Sequence, residues 1–357
     1  MADQPAGAPL TYAAAGVDIG AGEEAVRLML PAVESTRRPG VLGGIGAFGG
    51  LFALPGGYRE PVLVASTDGV GTKLSVAVAA GRLSTIGLDL VAMCADDIVC
   101  QGAEPLFFLD YQLWGVLDPR AAATVMAGIA EGCRQAGCSV LGGELAEHPG
   151  QLPPGEMDLA GFAVGVVERE ALLGPGGSVR AREGDILVGL HSGGLRSNGY
   201  SLARAALLGR ARRPLEGEAW AGAGHSLADE LLRPSVIYTP LVLAMLRQLD
   251  VHAVAHITGG GLPGNLPRAL PDDLDAVMRP GSWPVPPVFA EIQRAAGVDD
   301  AEMARTFNMG LGMVLAVAPE SARPALALAE AMGFAASAVG HVERGAGRCV
   351  FNGPLTA

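Results

Sequence analysis

Residues 66–73 read STDGVGTK, a strand exit that carries a carboxylate, two glycines, a hydroxyl and a lysine. Gly69 and Gly71 allow positive φ and close approach of backbone to a ligand. Lys73 can reach a phosphate oxygen, and Asp68 can ligate Mg²⁺, which takes oxygen ligands and substrate phosphates. The spacing is not that of a GxxxxGK[ST] phosphate loop, so a plain structural turn competes with this reading. Downstream, TIGLDLVAMCADDIVCQG sets Asp89 and Asp96 seven residues apart, about 20° apart around a helix, with Asp97 beside them. Carboxylates flanking the apolar stripe of Ile86, Leu90, Cys94 and Ile98 need a cation, unless they form a solvated acidic face. Asp110 falls inside the apolar run LFFLDY, where a carboxylate should be paired or metal-bound.

Three further segments repeat this logic. In LGGELAEHPG, Gly142 and Gly143 let the chain turn and Glu144 projects from the strand end. In SGGLRSNGYSL, Ser197 or Asn198 caps a helix, or else the free N–H groups and Arg196 form an anion site. AHITGGGLPGN offers Thr258, Gly259, Gly260 and Gly261 before a helix, with His256 as a core residue or a proton carrier. Asn308 and Gly310 precede another strand. Together these glycine-rich exits imply a phosphorylated ligand with Mg²⁺, divided between an acidic metal-binding half and a donor-rich half.

The elements that must position these groups alternate strand and helix. Strands are expected from Pro61 to Ala65 and over LFFLDYQLW, CSVLGG and DLAGFAVGVVE, with helices at 23–36 and 85–101 and after Asp118-Pro119. ELAEHPGQLPPGEM reads as a loop, and Leu172–Asp185 as a linker. A second unit follows, with strands ILVGL, AVAHI, DAVM, GMVLAVA and 335–342 between helices. The fold class is α/β with mixed sheets, in two domains, 1–172 and 173–357. The 52 glycines, about twice the usual share, collect in loops.

The 25 Lys plus Arg against 37 Asp plus Glu leave a net charge of −12, which excludes a broad footprint on nucleic acid or an anionic membrane. Five cysteines without a CxxC pair read as reduced core residues of a cytoplasmic protein. No apolar run is long enough for a membrane span.

In order and spacing, AGVDIGAG, TRRP, LGGIGAFGG, STDGVGTK, DLVAMCADDIVCQGAEPLFFLDY, GIAEGCRQAGCSVLGGE, SNGYSL, HITGGG and TFNMGLGM resemble the phosphoribosylformylglycinamidine cyclo-ligase family, from about Tyr12 to Val342. The resemblance implies ATP-dependent closure of an imidazole ring in purine synthesis by a homodimer whose first domains join their sheets. It implies Asp68, Asp96, Asp97 and Asp110 around Mg²⁺–ATP, and Gly69, Gly71, Thr72, Lys73 and Glu144 at the nucleotide. Gly43, Gly44, Gly46 and Gly49 would belong to a mobile covering segment. Ser197, Asn198, Thr258, Gly259, Gly260, Gly261 and Asn308 would hold the ribonucleotide, with His256, Lys73 and Arg196 as catalytic groups. Three positions depart from the family pattern. Arg196 stands for a histidine, Leu145 for a threonine, and Asp96 for the asparagine of many relatives. The competing readings are another ATP-using relative of the small-molecule kinase type and a non-catalytic nucleotide-binding paralogue.

Overall fold

The computed structural model describes residues 11–174, 177 and 180–355. The expected linker therefore lies partly outside the described residues, at 175, 176, 178 and 179. The first half runs α1 (Ile19–Glu34), β1 (Val41–Leu42), β2 (Leu51–Phe52), β3 (Pro61–Gly69), α2 (Lys73–Ala79), α3 (Ile86–Cys100), β4 (Glu104–Trp114), α4 (Pro119–Ala136), β5 (Ser139–Glu147) and β6 (Met157–Glu168). Its four-stranded sheet has the order β3-β6-β4-β5. Only β4 and β5 are parallel.

The ends of α4 follow from local chemistry. Asp118 accepts from the amides of Arg120 and Ala121, Pro119 opens the first turn, and Gly137 ends the helix at φ 76°. At β5 the expectation was too short. Glu144–Glu147 continue the strand, because Tyr111–Trp114 of β4 pair with them in parallel register. Gly142 and Gly143 thus make no turn. A Cβ on Gly143 would lie 2.2 Å from Asp110 Oδ1, so its bareness makes room for that acid.

The second half runs β7 (Ile186–His191), α5 (Tyr200–Arg204) prolonged by a π-type turn over Ala205–Arg210, α6 (Leu227–Leu231), α7 (Thr239–Gln248), β8 (Val251–His256), α8 (Gly261–Ala269), β9 (Leu274–Met278), α9 (Pro287–Ala296), α10 (Asp300–Thr306), β10 (Leu311–Val317), α11 (Pro319–Ala331), β11 (Ala336–Arg344) and β12 (Cys349–Phe351). Its six strands lie in the order β12-β9-β11-β7-β10-β8, antiparallel except between β12 and β9. The short elements β1, β2, α10 and β12 exceed what the sequence pattern announces. The architecture is mixed α/β, as expected.

α3 is the element shared by the two halves. It packs on β3, β6 and α4 on one side and on β8 and α7 on the other. Its approach to α4 depends on missing side chains. A Cβ on Gly87 would sit 2.3 Å from the Val125 carbonyl oxygen and 2.4 Å from the Ile129 nitrogen. Gly87→Ala must therefore push the two helices apart. We expect it to destabilise the chain by about 1–3 kcal/mol, read as a lower midpoint in denaturant unfolding.

Candidate functional site

The two acids that α3 buries deepest are not ligand groups. Asp89 and Asp96 are fully buried. Asp89 Oδ2 lies 2.7 Å from Lys73 Nζ, and Asp89 Oδ1 accepts from the Ser235 amide at 2.7 Å. Lys73 also donates to the Arg233 carbonyl at 2.8 Å and is itself fully buried. Burial pulls its pKa below the usual lysine range, against the opposing charge of Asp89. Asp96 Oδ2 accepts from Arg196 Nη2 at 3.0 Å. Its Oδ1 accepts from the Tyr238 and Thr239 amides at 2.9 and 3.0 Å and from Thr239 Oγ1 at 3.0 Å. Three expectations are corrected here. Lys73 and Arg196 are spent on interior carboxylates rather than on phosphate, and Asp96 has its oxygens engaged by protein donors. The need for a cation beside these acids is met, but by side chains.

Asp97, one residue on, points the other way, into a cleft of about 600 Å³ lined by Ser66, Gln101, His256, Asn265 and Arg268. Asp97 Oδ1 lies 2.8 Å from His256 Nδ1, and Oδ2 accepts from Ser66 Oγ at 3.1 Å. Burial would raise the Asp97 pKa, yet the bonds from His256 and Ser66 and the His256 charge outweigh it, so the carboxyl titrates below its ordinary range. With Nδ1–H directed at Asp97, a neutral His256 carries its lone pair on Nε2, which is buried and has no protein partner. Asp68, on β3, is pushed upward by burial and by the Asp97 charge, against the Gly69 amide that donates to it at 2.7 Å.

The glycine turns converge beside these groups. A Cβ on Gly71, at φ 55°, would stand 3.7 Å from the Ser197 carbonyl oxygen, and one on Gly259 would stand 3.9 Å from Asn198 Nδ2. Thr72 Oγ1 and Ser201 Oγ are 3.2 Å apart. Asn265 Nδ2 donates to the carbonyls of Thr258, Gly259 and Gly261, and its Oδ1 accepts from Arg268 Nη1 at 2.9 Å. Gly260 and Gly261 carry positive φ, and Gly261 packs so closely on α10 that no side chain fits. Asn308 is corrected to a buried lock on the 192–199 loop. Its Nδ2 donates to the Gly194 and Leu195 carbonyls, and its Oδ1 accepts from Ser192 Oγ and the Gly310 amide. Ser66, Asn265 and Arg268 escaped the sequence reading. The Asn and Arg three residues apart, just after the triple glycine, were the available signal.

Asp110 and Glu144 belong to a separate pocket of about 100 Å³ between α1, α4 and β5, closed on one side by Ile45. Asp110 accepts from Gln112 Nε2 at 3.0 Å, and Gln112 Oε1 is buried without a partner. Gly43 and Gly44 line a neighbouring groove against α1, while a Cβ on Gly46 or Gly49 would meet nothing. Four acids around one metal is therefore corrected. Asp96 and Asp110 face elsewhere, and among the described residues no group of three or more His, Cys, Asp or Glu is placed to hold a metal ion. Asp68 and Asp97 still suit Mg²⁺, which is commonly held by one or two carboxylates together with substrate phosphates.

Burial raises Asp110 to about 6. A carboxyl raised in the folded state favours folding below its unfolded value near 4, and that contribution is lost as pH climbs through about 6. Asp110→Asn should thus be more stable than wild type at pH 8, by up to about 3 kcal/mol, with the gap closing below pH 4 in denaturant titrations.

Two family descriptions match the chain: AIR synthase related protein, N-terminal domain, over residues 56–167, and AIR synthase related protein, C-terminal domain, over residues 182–350. A phosphoribosylformylglycinamidine cyclo-ligase of Anaeromyxobacter sp. (strain K) is 55% identical over 94% of this chain and 96% of its own. That of Myxococcus xanthus (strain DK1622) is 54% identical over 94% and 97%. Among solved structures, a thiamine-monophosphate kinase from Stenotrophomonas maltophilia K279a superposes with a TM-score of 0.65 at 19% identity, covering 92% of this chain and 97% of that one. The hydrogenase maturation protein HypE in complex with ATP gives 0.62 at 19%, covering 89% and 88%. These two share the fold. The chain belongs to the phosphoribosylformylglycinamidine cyclo-ligase family of AIR synthase related proteins.

Proposed function

We propose that this chain closes the ring of formylglycinamidine ribonucleotide to 5-aminoimidazole ribonucleotide, converting ATP to ADP and phosphate, in purine biosynthesis. The observation that carries this reading is the 55% identity to cyclo-ligases over 94% of the chain. The chemical obstacle is the formamide oxygen, a poor leaving group. Transfer of the γ-phosphoryl forms an O–P bond there and breaks the bond to ADP. The ribosyl-bearing nitrogen then attacks the formyl carbon, the C–O bond breaks, and phosphate departs. Loss of the protons of that nitrogen and of the former formamide nitrogen, with shift of one methylene proton to the amidine imine nitrogen, makes the ring aromatic and its substituent an amine.

In this reading His256 Nε2 accepts a proton, and Asp97 holds the ring and balances the imidazolium that forms. Each Asp97 oxygen keeps a lone pair beyond its protein bond. Mg²⁺ bound by Asp68 and Asp97 would supply charge neutralisation at the phosphoryl oxygens. Gly69, Gly71 and Thr72 approach the nucleotide phosphates. The base occupies the apolar pocket floored by Asp110 and Glu144, beneath the strap of Gly43, Gly44 and Ile45. Ser197, Asn198, Thr258 and the 259–261 turn hold the ribonucleotide, with Arg268 as the cation of the cleft. Steering by the whole surface would repel both anionic substrates, so these local donors must offset a net charge of −12.

The chain acts as a homodimer in this reading. Leu63 on the edge strand β3 is 64% exposed and Phe162 on β6 is 39% exposed, an apolar face that a second copy would cover. Sedimentation should give twice the chain mass, and Leu63→Glu should give monomers. Purified protein with ATP, Mg²⁺ and formylglycinamidine ribonucleotide should release ADP and aminoimidazole ribonucleotide together. His256→Gln should lower kcat by about 10²–10⁴ with nucleotide binding kept. Asp68→Asn should weaken Mg²⁺–ATP binding in calorimetry, and binding unchanged in that variant would remove Asp68 from the metal site.

A further inference from the structure

Arg196 brings a cation to a place that no solvent reaches. Its side chain is 1% exposed, its Nη2 meets Asp96 at 3.0 Å, and its guanidinium lies 4.7 Å from the centre of the Tyr238 ring. Nε and Nη1 have no protein partner. The backbone is held at φ 62°, a strained setting for a residue with a long side chain. Opposite the guanidinium, a Cβ on Gly312 would lie 2.7 Å from Nη1, so β10 is bare where Arg196 needs room. Something must hold the loop in this conformation: Asn308 bonds its first residues, Ser192, Gly194 and Leu195, and the buried ion pair holds it at Arg196.

The residues that follow Arg196 are those that abut the other turns. The Ser197 carbonyl stands against Gly71, and the Asn198 amide against Gly259. Ser197 Oγ is buried without a protein partner. Asp96, meanwhile, also holds the first amides of α7, so one α3 side chain fixes both the 192–199 loop and the next helix of the second half.

We propose that Arg196 is a positioning residue: through Asp96 it locks the 192–199 loop so that Ser197 and Asn198 present their groups to the sugar phosphate of the ribonucleotide. The ligand named here rests on the cyclo-ligase reading, whereas the lock itself does not. The pair is asymmetric. Without Arg196, Asp96 still accepts three hydrogen bonds at the start of α7. Without Asp96, a buried guanidinium has no counter-charge.

The test compares Arg196→Met, Asp96→Asn, the double variant and Arg196→Lys with wild type, by amide hydrogen exchange and by steady-state kinetics. Amides of 193–199 should exchange about tenfold faster in each single variant, more so in Asp96→Asn, and in Arg196→Met the α3 amides should keep their protection. The double variant should be no worse than the worse single one, because both remove the same contact. KM for formylglycinamidine ribonucleotide should rise about tenfold with KM for ATP and kcat little changed, and Arg196→Lys should recover most of the loss. Unchanged loop exchange, a double-variant effect equal to the product of the singles, or a loss confined to kcat would overturn the proposal. Absence of turnover in wild type would defeat the functional reading, and the exchange data would then decide the lock by themselves.

Discussion

Two carboxylates on one helix, each neutralised inside the protein, set the geometry of everything else. Asp89 and Asp96 lie two turns apart on α3, and each reaches into the second half to accept backbone amides of Ser235, Tyr238 and Thr239. Their cations come from opposite halves, Lys73 from the first turn of α2 and Arg196 from the loop after β7. Leaving any one of these four charges unpartnered in the interior would be strongly destabilising, by about 3–5 kcal/mol. The arrangement therefore specifies one relative placement of the halves, whatever its net contribution to stability.

From that placement the cleft follows. Asp97 is adjacent in sequence to Asp96, so the helix that presents one acid to the interior presents the other to the opening. There it meets His256, at the end of β8, across the boundary between the halves. Neither half alone holds both members of this pair. The same constraint brings Gly71 against Ser197 and Asn198 against Gly259, so turns from distant stretches of chain line one opening.

What the sequence disclosed depended on how local the cause was. Asp118-Pro119 and Gly137 mark the ends of α4 because capping is decided within a few residues. The triple glycine after His256 was legible as a strand exit leading into a helix. The length of β5 was not, since Glu144–Glu147 become strand only by pairing with β4. Nor were the partners of the acids. Asp89, Asp96 and Asp97 look alike in one helical repeat, and only long-range packing separates two interior anchors from one cleft residue. Lys73 and Arg196 misled for the same reason: a cation next to glycines suggests an anion in solution until a buried carboxylate claims it. Arg268 went unnoticed although its spacing from Asn265, just after the triple glycine, marked it; only packing shows that the two bond each other in the cleft.

The central claim is that α3 makes the two halves a single cooperative unit. Scanning calorimetry of the intact chain measures this directly, through the ratio of calorimetric to van't Hoff enthalpy. The account predicts one transition with both halves melting together and, for Asp89→Asn, a lower midpoint of that same transition. Two separate transitions in the wild-type chain, each with the enthalpy of one half, would contradict it.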